Sequence, residues 1–244
     1  VIGVPSNLTE VERKSVEDAV IGAGASKVYI VEEPLLAALG AKMPIDEPTS
    51  NMIIDIGGGT TEIAVISMGG IVNAKSIKIA GDKLNEDIVR FIRDEFHLAI
   101  GEPTAEELKI NIGSALPLDQ KMDLPIRGRD MATGLPREVI VRDIHIRAAI
   151  SKSLKIITDS IKETIETTPP ELVGDVLKRG IFICGGGSLL KGIDKLVEKE
   201  ITVATIIVDD PLTCVARGAG MIAENLTKYS YLVNNPLRPK EIKI

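Results

Sequence analysis

Apolar residues recur along this chain in two patterns: short runs rich in Ile and Val between glycine, proline and polar clusters, and longer stretches where they return every three or four positions. The first pattern predicts strands, the second helices packed on them. "VIGVPS" reads as a strand. Thr9, with Glu12 three residues on, forms a capping box, and Val16, Ala19, Val20 and Ala23 share one face of the helix it opens, with Gly24 as its stop. "KVYIV" predicts a strand whose end carries Glu32 and Glu33, and Pro34 suits the first turn of the helix "EEPLLAALGAK".

"NMIIDI" and "TEIAVIS", joined through Gly57, Gly58 and Gly59, predict a β-hairpin, and a turn at Gly69 and Gly70 leads to a third strand, "IVNAKSIKI". Leu84, Ile88, Phe91 and Ile92 trace a helix that Asp82 is placed to cap, and "PTAEELKINIGSA" predicts another. Residues 117–142 read as strands with Pro and Gly breaks. A long helix runs from about Asp143 to Thr167 and stops before Pro169 and Pro170. "RGIFICGGGSLLKGIDKLVEKE" predicts strand, glycine turn and helix, "TVATIIV" a last strand, and a helix begins near Pro211, before a polar tail from about Asn225. Strands alternate with helices and hairpins are embedded among them, which predicts mixed α/β layers.

A chain of 244 residues with 44% apolar content buries a full core, as one large domain or two lobes. It has no long apolar run of membrane-spanning length and no signal-peptide pattern, so the cytoplasm is the expected compartment. Cys184 and Cys214 lack CxxC spacing and a nearby histidine, and read as buried thiols. A net charge of -6 and the absence of Trp argue against a nucleic-acid partner, which requires a basic face or stacking platforms. Val1 opens a strand already under way, so a preceding segment is expected.

Neither GxxxxGK[ST] nor GxGxxG is present. Gly57, Gly58 and Gly59 nevertheless offer bare backbone on which amides converge toward an anion, and Thr60 and Thr61 add hydroxyls suited to a phosphate or a magnesium-bound water. A hairpin needing positive φ accounts for two such glycines equally well. A second run, Gly185, Gly186 and Gly187 followed by Ser188, leaves a strand and opens directly into a helix, whose free amides and positive dipole end favour an anion. Asp55 at a strand end suits hydrated Mg²⁺ or a simple turn. Glu32 and Glu33 suit orientation or deprotonation of an attacking water, or an ordinary helix start. Glu106 and Lys109, three apart on one helix face, suit a ribose and an adenine edge, or a surface ion pair. His97 and His145 are isolated and carry no assigned role.

"VEEP", "DIGGGTTE" (55–62), "ELK" (107–109), "GGGSLL" (185–190) and "ARGAG" (216–220), in this order and spacing, resemble the MreB family of bacterial actin homologues, as do "RGIFICGGGS" and "PPELVGD". The likeness covers essentially the whole chain. It implies the actin-like (ribonuclease H-like) α/β ATPase fold, in which two lobes close on Mg-ATP, and filaments that organise cell shape beneath the membrane. Carried over residue by residue, it puts Gly57 to Thr61 at the phosphates of ATP or ADP and Asp55 at the Mg²⁺ water shell. Glu33 and Thr60 would position the hydrolytic water, with Glu32 as the other candidate. Glu106 and Lys109 would meet ribose and base, and Gly185 to Ser188 the far side of the nucleotide.

In that family a "DLGT"-like phosphate hairpin, most of one lobe and an apolar membrane loop precede everything quoted above. The expectation is therefore a partial first lobe at 1–47 and 215–244, a second-lobe core at 48–83 and 151–214, and a smaller subdomain at 84–150. These residues alone are expected to bind ATP weakly or not at all. Implied partners are further copies of the chain in paired protofilaments, the inner face of the cytoplasmic membrane and membrane-bound shape proteins. Lys228, Arg238, Lys240 and Lys243, against Glu241, give the tail a basic character that suits anionic lipid or a solvated end. The alternative is an Hsp70-like chaperone ATPase or a small-molecule kinase that shares the cleft without forming filaments. A third class, a scaffold that does not hydrolyse, is disfavoured by Glu32 and Glu33.

Overall fold

The computed structural model describes residues 1–233; the tail cations Arg238, Lys240 and Lys243, with Glu241, lie outside the described residues. The chain opens with β1 (Ile2–Val4), α1 (Glu10–Gly22) and β2 (Ile30–Glu32), and the two strands pair in parallel. The capping box forms: Thr9 Oγ1 accepts from the Glu12 amide at 3.3 Å and Glu12 Oε2 from the Thr9 amide at 2.9 Å. The apolar face of α1 is only partly covered: Val16 and Val20 are half-buried and none of its residues is buried. β2 is shorter than "KVYIV" predicts because its partner offers only three residues. α2 (Glu33–Gly40) follows directly, buried from Pro34 to Gly40.

β3 (Asn51–Ile56), β4 (Thr61–Ser67) and β5 (Gly70–Ile77) form the expected antiparallel meander. α3 (Gly81–Phe96), β6 (Leu98–Ala99), α4 (Glu102–Ile112), β7 (Asp123–Asp130) and β8 (Pro136–Arg142) come next. They are followed by α5 (Asp143–Glu166), α6 (Pro170–Arg179) and β9 (Ile181–Cys184). A 3-10 turn at Gly186–Leu189 separates β9 from α7 (Ile193–Ile201), and the described chain closes with β10 (Thr205–Ile207), a 3-10 turn at Pro211–Thr213, α8 (Cys214–Glu224) and α9 (Ser230–Val233).

The main sheet runs β10-β9-β3-β4-β5, parallel on the β10–β9–β3 side and antiparallel on the other; β6, β7 and β8 make a separate small sheet. Strand alternation gives the main sheet two buried faces. Ile54, Ile56, Ile63 and Val65 enter one core with α3, α4 and α5, while Ile53, Ala64 and Ile66 enter another with α2 and α8. α2 and α8 cross at backbone contact. A Cβ at Gly40 would stand 1.9 Å from the Cys214 carbonyl oxygen, and one at Gly218 2.0 Å from that of Leu36. Both cysteines are free and buried, as expected.

Three local expectations are corrected. Asp82 is not the cap of α3: Ala80 holds that position, and Asp82 sits in the first turn. The second glycine run does not open directly into an α-helix, because Gly192 takes φ 76° and α7 begins only after it; the amides near that run belong to the 3-10 turn. "TVATIIV" pairs only over β10, since Thr202 is left-handed at φ 63° and β9 is four residues long.

Candidate functional site

The turn between β3 and β4 is closed by the Gly57 amide donating to the Thr60 carbonyl at 3.0 Å. It is then fastened to α3: the Gly81 amide donates to the Gly57 carbonyl at 3.1 Å and the Asp82 amide to that of Gly58 at 2.9 Å. None of Gly57, Gly58 and Gly59 lies in the left-handed region, unlike Gly69 (φ 72°) in the next hairpin. Backbone conformation therefore does not demand glycine at 57–59. What the missing side chains leave is open space: a Cβ at Gly58 would find nothing nearer than Asp82 Oδ1 at 3.4 Å.

That space belongs to a cleft of about 320 Å³. It is lined by Gly57, Gly58, Gly81 and Asp82, by Glu106, Lys109 and Ile110 of α4, and by Gly186, Gly187 and Leu212. Leu84, Leu189 and Leu190 supply apolar surface between them. The second glycine run packs on the end of β3. A Cβ at Gly187 would stand 2.2 Å from Ile56 Cγ2, and Gly185, at φ 80°, would place one 2.3 Å from Asp55 Oδ1.

Lys109 is 15% exposed, and its Nζ donates to the Gly81 carbonyl at 3.1 Å and stands 3.9 Å from Glu106 Oε1. Lys109 is the inward partner of the pair, while Glu106 is 53% exposed. Burial lowers the Lys109 pKa, opposed by Glu106 and Asp82. Two hydroxyls serve backbone instead of the cleft: buried Thr61 donates to the Ile79 carbonyl at 2.7 Å, and buried Ser188 to that of Gly185 at 2.7 Å.

Asp55 and Glu62 are direct cross-strand partners on the sheet face that looks toward α2. Glu32 ends β2 and Glu33 begins α2. Burial first, then the Asp55 and Glu62 charges, push Glu33 up to about 7. Glu32 also rises to about 7, by burial against the opposing pull of Arg13, and Asp55 to about 6, by burial against a hydrogen bond with Cys184. Carboxylates so placed hold or accept a proton near neutrality, and a cation beside them relieves their crowding. One such carboxylate matches the demand of a hydrated Mg²⁺ carried largely by other ligands.

The cleft thus gathers Gly57, Gly58, Glu106, Lys109, Gly186 and Gly187; Gly59 and Thr60 belong to the same hairpin turn but do not line it. Gly81 and Asp82 were not anticipated there. The "AGD" that carries them reads as a helix start, and only the bond to Gly58 gives it a second meaning.

A parallel–antiparallel sheet with helices on both faces and a glycine-lined cleft at the hairpin defines an actin-like fold. The crystal structure of MreB5 of Spiroplasma citri bound to ADP superposes with a TM-score of 0.90 at 42% identity, covering 93% of this chain and 69% of that one. The same protein bound to AMPPNP gives 0.89. The MamK double helical filament, at 23% identity and a TM-score of 0.78, agrees in fold. A family model described as MreB/Mbl protein matches residues 1–231. The cell shape-determining protein Mbl of Bacillus subtilis is 45% identical over 92% of this chain and 67% of its own length, and the cell shape-determining protein MreB of Escherichia coli 42% identical over 91% and 64%. The chain belongs to the MreB/Mbl family, and spans about two thirds of the length of these relatives.

Proposed function

We propose that the chain contributes part of the nucleotide site of an actin-like cytoskeletal protein, which polymerises with ATP and Mg²⁺ into filaments that govern cell shape and turns them over by slow hydrolysis. The observation that carries this is the first glycine turn: none of Gly57 to Gly59 takes a left-handed φ, and Gly57 and Gly58 line one cleft with half-buried Lys109 and a second glycine turn. Nucleotide-bound MreB5 and the cell-shape names of the relatives support the reading.

In this reading Gly57, Gly58, Gly59 and Thr60 take the phosphates from one side and Gly186 and Gly187 from the other. Thr61, Gly185 and Ser188 shape the two turns. Glu106 and Lys109 meet ribose and base, and Asp55 holds the hydrated Mg²⁺, which when bound neutralises phosphate charge. Glu33, with Thr60, orients the attacking water and accepts its proton; Glu32 is the second candidate. Residues 1–47 with 215–233 are a partial first lobe, 48–83 with 151–214 the core of the second, and 84–150 its smaller subdomain. The filament pairs its own copies and works at the inner membrane face with membrane-bound shape proteins.

Electron microscopy of the full-length protein with and without Mg-ATP tests the polymer, with filaments expected only in its presence. Phosphate release from the same samples tests hydrolysis: Glu33→Ala should keep the filaments and slow release by about 100-fold. Rapid ATP turnover with no filament at any concentration would favour a chaperone- or kinase-type ATPase instead.

A further inference from the structure

Glu62 has no part in the roles assigned above, yet its carboxylate is 1% exposed, on β4 directly across from Asp55. No cation pairs with it among the described residues; its partners are neutral. Oε2 accepts from the Ser6 amide at 3.3 Å and the Ser6 hydroxyl at 3.1 Å, and Oε1 accepts from the Ser76 hydroxyl. A buried carboxylate held only by hydroxyls and an amide is a poor source of stability, since desolvating a charge is costly. Its connections are more informative.

Ser6 stands two residues beyond Val4, the last residue of β1, and Val4 is the register partner of Glu32 on β2. β1 also touches the next residue along, because a Cβ at Gly3 would lie 3.2 Å from Glu33 Cγ. A continuous path therefore runs from the phosphate hairpin through Glu62 and Ser6 into β1, and from β1 to Glu33. We propose that Glu62 is a positioning residue: by clamping Ser6 to β4 it fixes β1 against the phosphate hairpin and so holds Glu33 in place near Asp55. The inference rests on the proposed ATPase reading for its kinetic part only.

The test uses the full-length protein with Glu62→Ala, Glu62→Gln and Ser6→Ala. Amide hydrogen exchange over residues 2–8 reads the clamp directly, and phosphate release reads its effect on hydrolysis. Glu62→Ala should speed exchange at Ser6 and lower kcat about 10-fold while leaving KM within about twofold, the signature of lost positioning without lost binding. Ser6→Ala, which removes only the hydroxyl bond, should move both readouts the same way. The double variant should be no worse than Glu62→Ala, as for residues acting through one contact. Glu62→Gln keeps an acceptor for Ser6 and should recover most of the loss. Unchanged exchange at Ser6 in Glu62→Ala, or multiplying kinetic effects in the double variant, overturns the clamp. If Glu62→Ala fails to fold, Ser6→Ala and Glu62→Gln still decide it. A wild-type protein without ATPase activity would overturn the function proposed above, whereas the exchange result would still judge the clamp.

Discussion

Gly58 and Gly187 line one cleft and should respond to an added methyl group in opposite ways. At Gly58 the new Cβ meets only Asp82 Oδ1 at 3.4 Å, an ordinary contact, and φ is not left-handed. Gly58→Ala should therefore keep its stability within about 1 kcal/mol. The methyl nevertheless stands where a phosphate must approach, so nucleotide affinity should fall at least about 10-fold. At Gly187 the new Cβ would stand 2.2 Å from Cγ2 and 2.8 Å from Cβ of Ile56, a β-branched residue fixed in β3. Gly187→Ala should cost about 1–3 kcal/mol by overpacking. Thermal unfolding and titration with a fluorescent nucleotide separate the two, and wild-type affinity in Gly58→Ala would remove the phosphate role of that turn. At this scale the sequence displayed residue types well: the glycines, Asp55, Glu32 and Glu33 stood out by position. Asp82 and Glu62 did not, because their meaning comes from partners far along the chain, such as Ser6, 56 positions away.

Among the elements, α2 and α8 show how a helix can be legible while its reason is not. "ARGAG" contains two glycines that weaken a helix by propensity alone. The crossing with α2 explains one of them: Gly218 sits where any Cβ would meet the Leu36 carbonyl at 2.0 Å, while Gly220 faces open space. Gly218→Ala should destabilise the fold by at least about 3 kcal/mol, since backbone cannot yield as a side chain does. Gly220→Ala should stabilise it by about 0.5–1 kcal/mol. Denaturant melts of the pair make the comparison, and equal effects would contradict the close crossing. Helices and strands with local signals were readable, as Thr9 with Glu12 at α1 and the apolar alternation of β3 and β4 show. α6 was not anticipated, since a double proline reads first as a stop and only then as a start. The 3-10 turn after β9 was hidden as well, because Gly192 adopts a left-handed break that no periodicity marks.

Across the whole molecule, the layered α/β plan was legible because it follows from strand and helix periods. What periods do not reveal is that the junction of β2 and α2 presses Glu32 and Glu33 toward the Asp55 and Glu62 face of the sheet. Both glutamates rise from the ordinary 4.5 to about 7 in the folded chain. Between those values the native state holds protons that the unfolded chain has released, so stability falls as pH rises through that window and stays low above it. Asp130 and Asp143 shift the other way, held below the ordinary 3.8 by hydrogen bonds and by Arg137 and Arg147, so their contribution is lost only in stronger acid. Without Mg²⁺ or nucleotide, the melting temperature should accordingly be higher near pH 5 than near pH 7.5. Glu33→Gln removes one of these penalties, which Glu32 and Asp55 share. Discounted for solvent screening, that is about 1 kcal/mol, or a rise of roughly 2–4 °C at pH 7.5, with little change at pH 5. Melts of both proteins across this range test the point: the two curves should diverge with rising pH, and parallel curves would mean that the Glu33 carboxyl is not held in the crowded, dehydrated position from which it is proposed to take a proton.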